Sequence, residues 1–209
     1  MPELLQATLL TLSGLSSAIW IGTARRGYGE PDQPALFCAL LAFSLAAGTG
    51  ACAAARLAIG LDTLEAERWL MQATLLLGLP LVGVVALTLG RKWIWSRPTW
   101  GRIVIGLCAF FELARQLDWS APYALTLGLL SALLVLYAGL LQWPARLQAS
   151  AGVAGSALML ALLPWTGLSI GPNPLGAYQQ FWLALACPII AWMLLNLPGN
   201  LREEHSAPA

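Results

Sequence analysis

The sequence predicts an all-α, polytopic membrane protein: a bundle of about seven transmembrane helices, with the N-terminus outside and the C-terminus in the cytoplasm. Hydrophobic residue types make up 58% of the 209 residues and charged types only 10%, whereas soluble domains carry about 25% charged residues. A soluble domain of this size could not bury so much apolar surface in one core. The apolar residues also fall into runs of about 20, the length that a helix needs to cross the hydrocarbon.

Six of these runs are strongly apolar, and each predicts one span. They cover residues 4–24, 35–55, 69–89, 123–142, 148–168 and 177–197. Gly and Pro residues separate the runs, as in the stretch from Gly171 to Pro174, because proline cannot donate to a helical ladder. Pro80 and Pro188 fall inside spans, where we expect them to distort the helix.

A seventh run, residues 101–119, completes the bundle as its fourth span, although it contains Glu112 and Arg115. It is long enough to cross and lies between two polar stretches. A helix that starts near Gly101 at the inner face would place Glu112 about 16 Å along its axis, near the middle of the membrane.

The orientation follows from the lysines and arginines of the short links, which favour the cytoplasmic side. With the N-terminus outside, three basic residues face outward: Arg56, Arg68 and Arg115. The other eight face inward: Arg25, Arg26, Arg91, Lys92, Arg97, Arg102, Arg146 and Arg202. We therefore expect a single transmembrane domain, residues 1–200, with a polar cytoplasmic tail, residues 201–209, in a bacterial inner membrane.

Charged residues inside the fourth span give the strongest local signal. Glu112, Arg115 and Asp118 follow one another at intervals of three, which keeps neighbours close on a helix surface. A charge at the bilayer centre costs at least about 2.5–3.5 kcal/mol, so it requires a cavity or a partner. Glu112 and Arg115 could line a path for a solute or a proton, or could simply neutralise each other within one helix.

Further polar residues lie at the outer ends of other spans. Arg56 closes the second span, and Asp62 and Glu65 precede the third, where they resemble a helix N-cap. These positions predict an outward-opening polar pocket that binds a ligand or conducts protons. Its expected lining is Arg56, Glu67, Arg68, Glu112, Arg115, Asp118, Gln179 and Gln180.

Small residues predict where helices pack closely, because close approach replaces the hydrophobic drive in lipid. In the second span, Gly48 and Cys52, or alternatively Ala47, Ala51 and Ala55, form stripes of small residues. The sixth span carries Gly152 and Ser156, with Ala151 and Gly155 beside them. We expect these two helices in the interior of the bundle.

The composition argues against several classes of function. The only histidine is His205, which excludes bis-histidine haem within one chain and a histidine-rich zinc site. No phosphate-binding loop occurs, and the chain has no basic face for nucleic acid. The four cysteines lie in apolar runs, where they act as small hydrophobic residues. We therefore expect neither a cofactor nor a metal.

The first functional hypothesis is that the bundle binds or transports a small solute or a lipid. Arg56 and Arg115 would meet an anionic group, and Glu112 would relay a proton or balance charge. One alternative is a non-catalytic subunit or scaffold that packs against another membrane protein or a second copy. The other is a lipid-modifying enzyme with Glu112 or Asp118 as acid or base. It ranks lowest, because an evident nucleophile or metal set is missing.

Overall fold

A computed structural model describes residues 2–143, 145–163 and 178–197, and all regular structure in these ranges is helical. This confirms the predicted all-α bundle. The described ranges contain seven helices: α1 Pro2–Ala24, α2 Gln33–Ile59, α3 Leu64–Gly90, α4 Arg97–Gln116, α5 Ser120–Leu140, α6 Arg146–Ala161 and α7 Gln179–Asn196.

Five of the helices, α1, α2, α3, α5 and α7, are long and apolar enough to cross a membrane. Helix α4 differs because it carries four charged residues, and α6 is described over only 16 residues. The predicted sixth span continues to residue 168 and so ends outside the described residues. The same holds for the break from Gly171 to Pro174 and for the tail with Arg202 and His205. The described helices indicate a membrane protein.

Helix α3 crosses the bundle as one continuous helix with a change of register in its middle. The segment Thr74–Gly78 is π-helical, and the amide of Leu79 donates to the carbonyl of Thr74. Pro80 follows at once and lacks the amide that a regular α-helix would use there. The distortion expected at Pro80 is therefore a π turn placed just before it.

The core lies between α1, α2, α3, α5, α6 and α7, whereas α4 is peripheral. Helix α1 packs against α2 and α7, and α5 packs against α3 and α6. Large side chains that are fully buried include Leu10, Ile21, Leu36, Val85, Met159 and Met193. In α4 only Trp100 and Ala114 are buried.

Small residues set the closest helix contacts, as the sequence predicts. A Cβ atom added to Gly14 of α1 would lie 2.8 Å from the backbone nitrogen of Ala47 in α2. Between α5 and α6, a Cβ atom added to Gly139 would lie 2.7 Å from the Cα atom of Gly152. The expected interior role is confirmed for α2, whereas α6, over its described residues, packs only one face, against α5 and α7.

The predicted stripes on α2 are only partly right. Ala47 is buried, but Gly48 and Cys52 are half-buried and Ala51 is exposed. The residues that face the bundle are instead Ala46, Ala47, Gly50 and Ala53. The tract from 46 to 55 is small on every face, so its composition alone does not identify the packed side.

Candidate functional site

Because successive helices run in opposite directions, the starts of α1, α3 and α7 meet the end of α2 at one end of the bundle. We call this the pocket end, and the opposite end the basic end. A cavity of about 490 Å³ opens at the pocket end. Five residues of the predicted site line it: Arg56, Glu67, Arg68, Gln179 and Gln180. We call this cavity the polar pocket.

Glu67 is the centre of a hydrogen-bond network that joins three helices in the polar pocket. Arg56 of α2 donates from Nε to Oε2 of Glu67 at 2.9 Å, and Gln180 of α7 donates to Oε1 at 3.1 Å. The side chain of Glu67 is only 14% exposed, and that of Arg56 is 32% exposed. Both carboxylate oxygens therefore have a partner, which a largely buried charge requires.

The link between α2 and α3 brings Arg56 and Glu67 together. Gly60 ends α2 in the left-handed conformation, with φ +72°, and its amide donates to the carbonyl of Arg56. Thr63 then donates from its hydroxyl to the carbonyl of Cys52 at 2.8 Å, which folds the link back onto α2. The last turn of α2 and the first turn of α3 consequently face each other.

The N-cap predicted for Asp62 and Glu65 is wrong. Helix α3 begins at Leu64, and Thr63 occupies the cap position without a side-chain cap hydrogen bond. The Thr63 hydroxyl is used on α2 instead, and Glu65 is exposed.

A second hydrogen bond fixes the start of α7 beside the pocket. Gln179 donates from its side-chain amide to the carbonyl of Leu162, at 3.1 Å, just beyond the end of α6. The two neighbouring glutamines therefore bond to different helices. Gln179 anchors α7 to α6, and Gln180 reaches the carboxylate of Glu67.

Glu112 and Arg115 lie apart from the polar pocket, on α4. Arg115 donates from Nη2 to Oε1 of Glu112 at 2.6 Å and from Nε to Oε2 at 3.0 Å. Gln116 donates to the same carboxylate, and the Arg115 guanidinium lies 4.6 Å from the ring centroid of Trp69. Both side chains of the ion pair are 43% exposed. The expectation that neighbouring protein would cover them is wrong, and the pair has the mutually neutralising arrangement.

Glu112 lies further along its helix than expected. Helix α4 begins at Arg97, with Pro98 in its first turn, and ends at Gln116. Glu112 therefore lies about 22 Å from the start of the helix and about 6 Å from its end. Its depth in the membrane stays a prediction.

Asp118 also lies outside the polar pocket and completes the end of α4. Its φ is +53°, in the left-handed region that Asp tolerates better than most residues. The amide of Asp118 donates to the carbonyl of Arg115, and the amide of Trp119 donates to that of Ala114. These two bonds form a Schellman motif with Asp118 in the position that glycine usually occupies.

Sequence reasoning missed several lining residues of the polar pocket. Glu3 and Gln6 come from the first turns of α1, and Gln72 comes from α3. Glu3 and Gln6 are three residues apart, and Gln72 follows Arg68 by four, so each pair lies on one helix face. Helical spacing within the outer turns would have identified them.

The polar pocket offers two guanidinium groups, two carboxylates and four side-chain amides, a set suited to hydrogen bonding and charge recognition. In the described ranges, no group of three or more His, Cys, Asp and Glu side chains is close enough to hold a metal ion. No family model, no curated protein and no solved structure matches this chain.

Proposed function

We propose that this membrane protein binds a small polar solute or a lipid headgroup in the polar pocket, through an anionic group on that ligand. The observation that carries the proposal is the network in which Glu67 fixes Arg56 and Gln180 at the mouth of a cavity. A volume of about 490 Å³ lies within the usual range of roughly 300–1,000 Å³ for small-molecule sites.

Arg56 is the group we assign to the anion. Glu67 accepts from Nε of Arg56, and no acceptor within the described ranges bonds to either Nη atom. A guanidinium held in this way is oriented in advance, and its two Nη groups can grip a carboxylate or phosphate. Arg68 lines the same cavity and has no ion pair with a described residue.

The remaining lining groups suit the neutral or cationic part of the same ligand. Glu3 lies on the α1 side, and Gln6 and Gln72 have side chains without hydrogen-bond partners among the described residues. Amides both donate and accept. The ligand class is therefore an anionic group flanked by hydrogen-bonding groups, as in a zwitterion or a phosphate ester.

The experiment is thermal unfolding of the detergent-purified protein with four probes: inorganic phosphate, acetate, glycine and phosphocholine. At ten times its Kd, a bound probe stabilises the protein by about 1.4 kcal/mol. We expect at least one probe to raise the Tm of the wild type by a few degrees. Arg56→Gln should abolish that rise, and Arg115→Gln, which alters the exposed pair on α4, should retain it.

A double variant separates binding from stability. Arg56→Gln alone leaves Glu67 with one partner fewer, whereas Arg56→Gln with Glu67→Gln leaves two neutral amides in contact. If the double variant folds like the wild type and still responds fully to the probe, Arg56 is not the anion site. If no probe stabilises the wild type, the proposal fails.

The subunit alternative is favoured by one observation: α4 exposes apolar side chains on the side that faces away from the bundle. Ile105 and Phe110 are 70% and 59% exposed, and the half-exposed Glu112–Arg115 pair lies on the same helix. A second copy of the chain could cover this face. Cys108 is exposed on α4, so oxidation in membranes should give a dimer that Cys108→Ser prevents. A chain that stays monomeric under oxidation would argue against α4 as a contact between copies.

A further inference from the structure

A second cavity lies at the basic end of the bundle, far from the polar pocket. It is an open groove of about 610 Å³ between the first half of α2 and the first half of α4. Its walls include Phe37 and Leu41 from α2 and Trp100 and Val104 from α4. Two arginines, Arg25 and Arg97, stand at its mouth. We call this cavity the basic groove.

The walls of the basic groove are apolar along most of their length. Pro34, Phe37 and Leu41 follow one another at intervals of three and four on one face of α2. On α4, Trp100 and Val104 lie opposite them with the same spacing. Seven residues of helix span about 10 Å. The groove therefore offers an open apolar channel of that length, with two arginines at one end.

The charge at the mouth of the groove is poorly compensated. Arg97 pairs with Glu30 at 3.7 Å, with side-chain exposures of 73% and 87%, and such exposed pairs contribute little. The Arg25 guanidinium lies 5.2 Å from the ring centroid of Phe37 and has no ion pair with a described residue. Both cations stay available to an anion.

The residues around this mouth are typical of the headgroup level. The rings of Trp93 and Trp95 stack 6.1 Å apart in the link before α4, and Trp95 also contacts Trp100. Tryptophans concentrate where hydrocarbon meets headgroups. Further basic residues lie at the same end: Arg26, Arg91, Lys92 and Arg102.

We propose that the basic groove binds one anionic phospholipid. The phosphate lies between Arg25 and Arg97, and an acyl chain lies along Phe37, Leu41, Trp100 and Val104. Basic pockets between membrane helices recognise anionic headgroups in this way. An apolar channel by itself would accept the chain of any lipid, and the two guanidinium groups provide the selection for negative charge. The proposal does not depend on the polar pocket.

The open space beside Gly101 allows a direct test of the groove. Gly101 lines the groove, and a Cβ atom added to it would meet no atom within 4 Å. A larger side chain at this position would therefore occupy the groove without displacing the protein. Gly106, one and a half turns further along α4, has the same open surroundings but does not line the groove.

The test is native mass spectrometry of the full chain in detergent, titrated with phosphatidylglycerol and with phosphatidylcholine of the same acyl chains. We expect one phosphatidylglycerol to be retained in preference to phosphatidylcholine. Arg25→Gln and Arg97→Gln should each weaken its retention about fivefold. Arg102→Gln removes a neighbouring charge that does not line the groove and should change retention less than twofold.

Two glycine variants test the channel itself. Gly101→Leu should reduce phosphatidylglycerol retention at least as much as either arginine variant, and Gly106→Leu should leave it unchanged. Equal retention of the two lipids would overturn the proposal, as would an equal loss in Arg102→Gln and Arg97→Gln. Full retention by Gly101→Leu would also overturn it. So would a dimer that Gly101→Leu dissociates, because that result would assign the groove to a second chain.

Discussion

At the scale of single residues, polar contacts such as those of Glu67 and Thr49 join helices in the described bundle. Glu67 is 14% exposed and binds side chains of two other helices. Thr49 and Thr74 form a buried hydroxyl pair, 3.2 Å apart, between α2 and the π turn of α3. A buried carboxylate is costly without its partners, so the structure is expected to be sensitive to changes at Glu67.

Replacing Glu67 should destabilise the fold more than replacing a neighbouring carboxylate. Glu67→Ala removes the acceptor for Arg56 and Gln180, and we expect a loss of about 1–2 kcal/mol. Glu65→Ala, in the same turn but exposed, should change stability by less than about 0.5 kcal/mol. Unfolding by sodium dodecyl sulfate in mixed micelles measures both. Equal losses would contradict the assigned role of Glu67.

Asp118 and Lys92 offer a test of backbone strain. Both have φ +53° in Schellman motifs, one after α4 and one after α3. Glycine adopts this conformation without steric cost, so Asp118→Gly and Lys92→Gly should each raise the free energy of unfolding by up to about 1 kcal/mol. Asp118→Val should lower it.

The same variants separate a structural role of Asp118 from the predicted role in the site. If Asp118→Gly is stable but loses binding of a probe that Lys92→Gly retains, Asp118 belongs to the site after all. Unchanged binding in both variants would leave it as a helix terminator.

At the scale of helices, close contacts depend on small residues at particular positions. Gly139 and Gly152 bring α5 and α6 together so closely that a Cβ atom on Gly152 would lie 2.6 Å from the Cα atom of Gly139. Gly14 and Ala47 do the same for α1 and α2. In a bundle held largely by van der Waals packing, loss of such an approach separates the helices along their length.

Gly152→Ala is therefore expected to lower the free energy of unfolding by about 1–3 kcal/mol, through overpacking against Gly139. The matched control is Gly106→Ala on α4, where the new methyl group meets no atom within 4 Å. That control should be neutral or stabilising by up to about 1 kcal/mol, because alanine favours helix. Similar effects of the two substitutions would contradict the described packing of α5 and α6.

The sequence was sufficient to predict the helices, because each apolar run of about 20 residues has one stable form in lipid. The predicted start of α4 was wrong, because Ser96 and Pro98 begin the helix at Arg97 rather than Gly101. Those four residues place Glu112 about 22 Å along the helix instead of about 16 Å. Proline in the first turn of a helix is a local signal that the sequence does carry. The buried face of α2 was not determined by the sequence, since Ala51 and Ala53 differ in burial but hardly in chemistry. Tertiary context decides that difference.

The candidate site was predictable only in part, because the sequence assigns residues to an end of the bundle but does not show which helices are neighbours. Arg56, Glu67 and Gln180 come together because the alternation of helix directions alone assigns them to one end. Glu112 also lies toward that end but belongs to the peripheral helix, and sequence does not state which helices are neighbours. The role of Glu112, Arg115 and Asp118 in binding or proton transfer stays a prediction.

At the scale of the whole molecule, the two ends of the bundle differ in chemistry. The pocket end combines Arg56 and Arg68 with carboxylates such as Glu3 and Glu67. The basic end has an excess of positive charge that includes Arg25 and Arg97. Such asymmetry sets the orientation of membrane proteins and attracts anionic lipids to one face. The polar pocket and the basic groove would consequently serve opposite sides of the membrane.

The most direct test of this account is the side from which each end of α3 can be labelled. Gln72, an exposed residue of the polar pocket, and Lys92, in the link after α3, are each replaced by cysteine after Cys52 and Cys108 are changed to serine. A membrane-impermeant maleimide is then applied to intact cells and to inside-out vesicles. We expect Gln72→Cys to react in intact cells and Lys92→Cys to react only in inside-out vesicles. Reaction of both from the same side would contradict a bundle that crosses the membrane with the polar pocket outside and the basic groove inside.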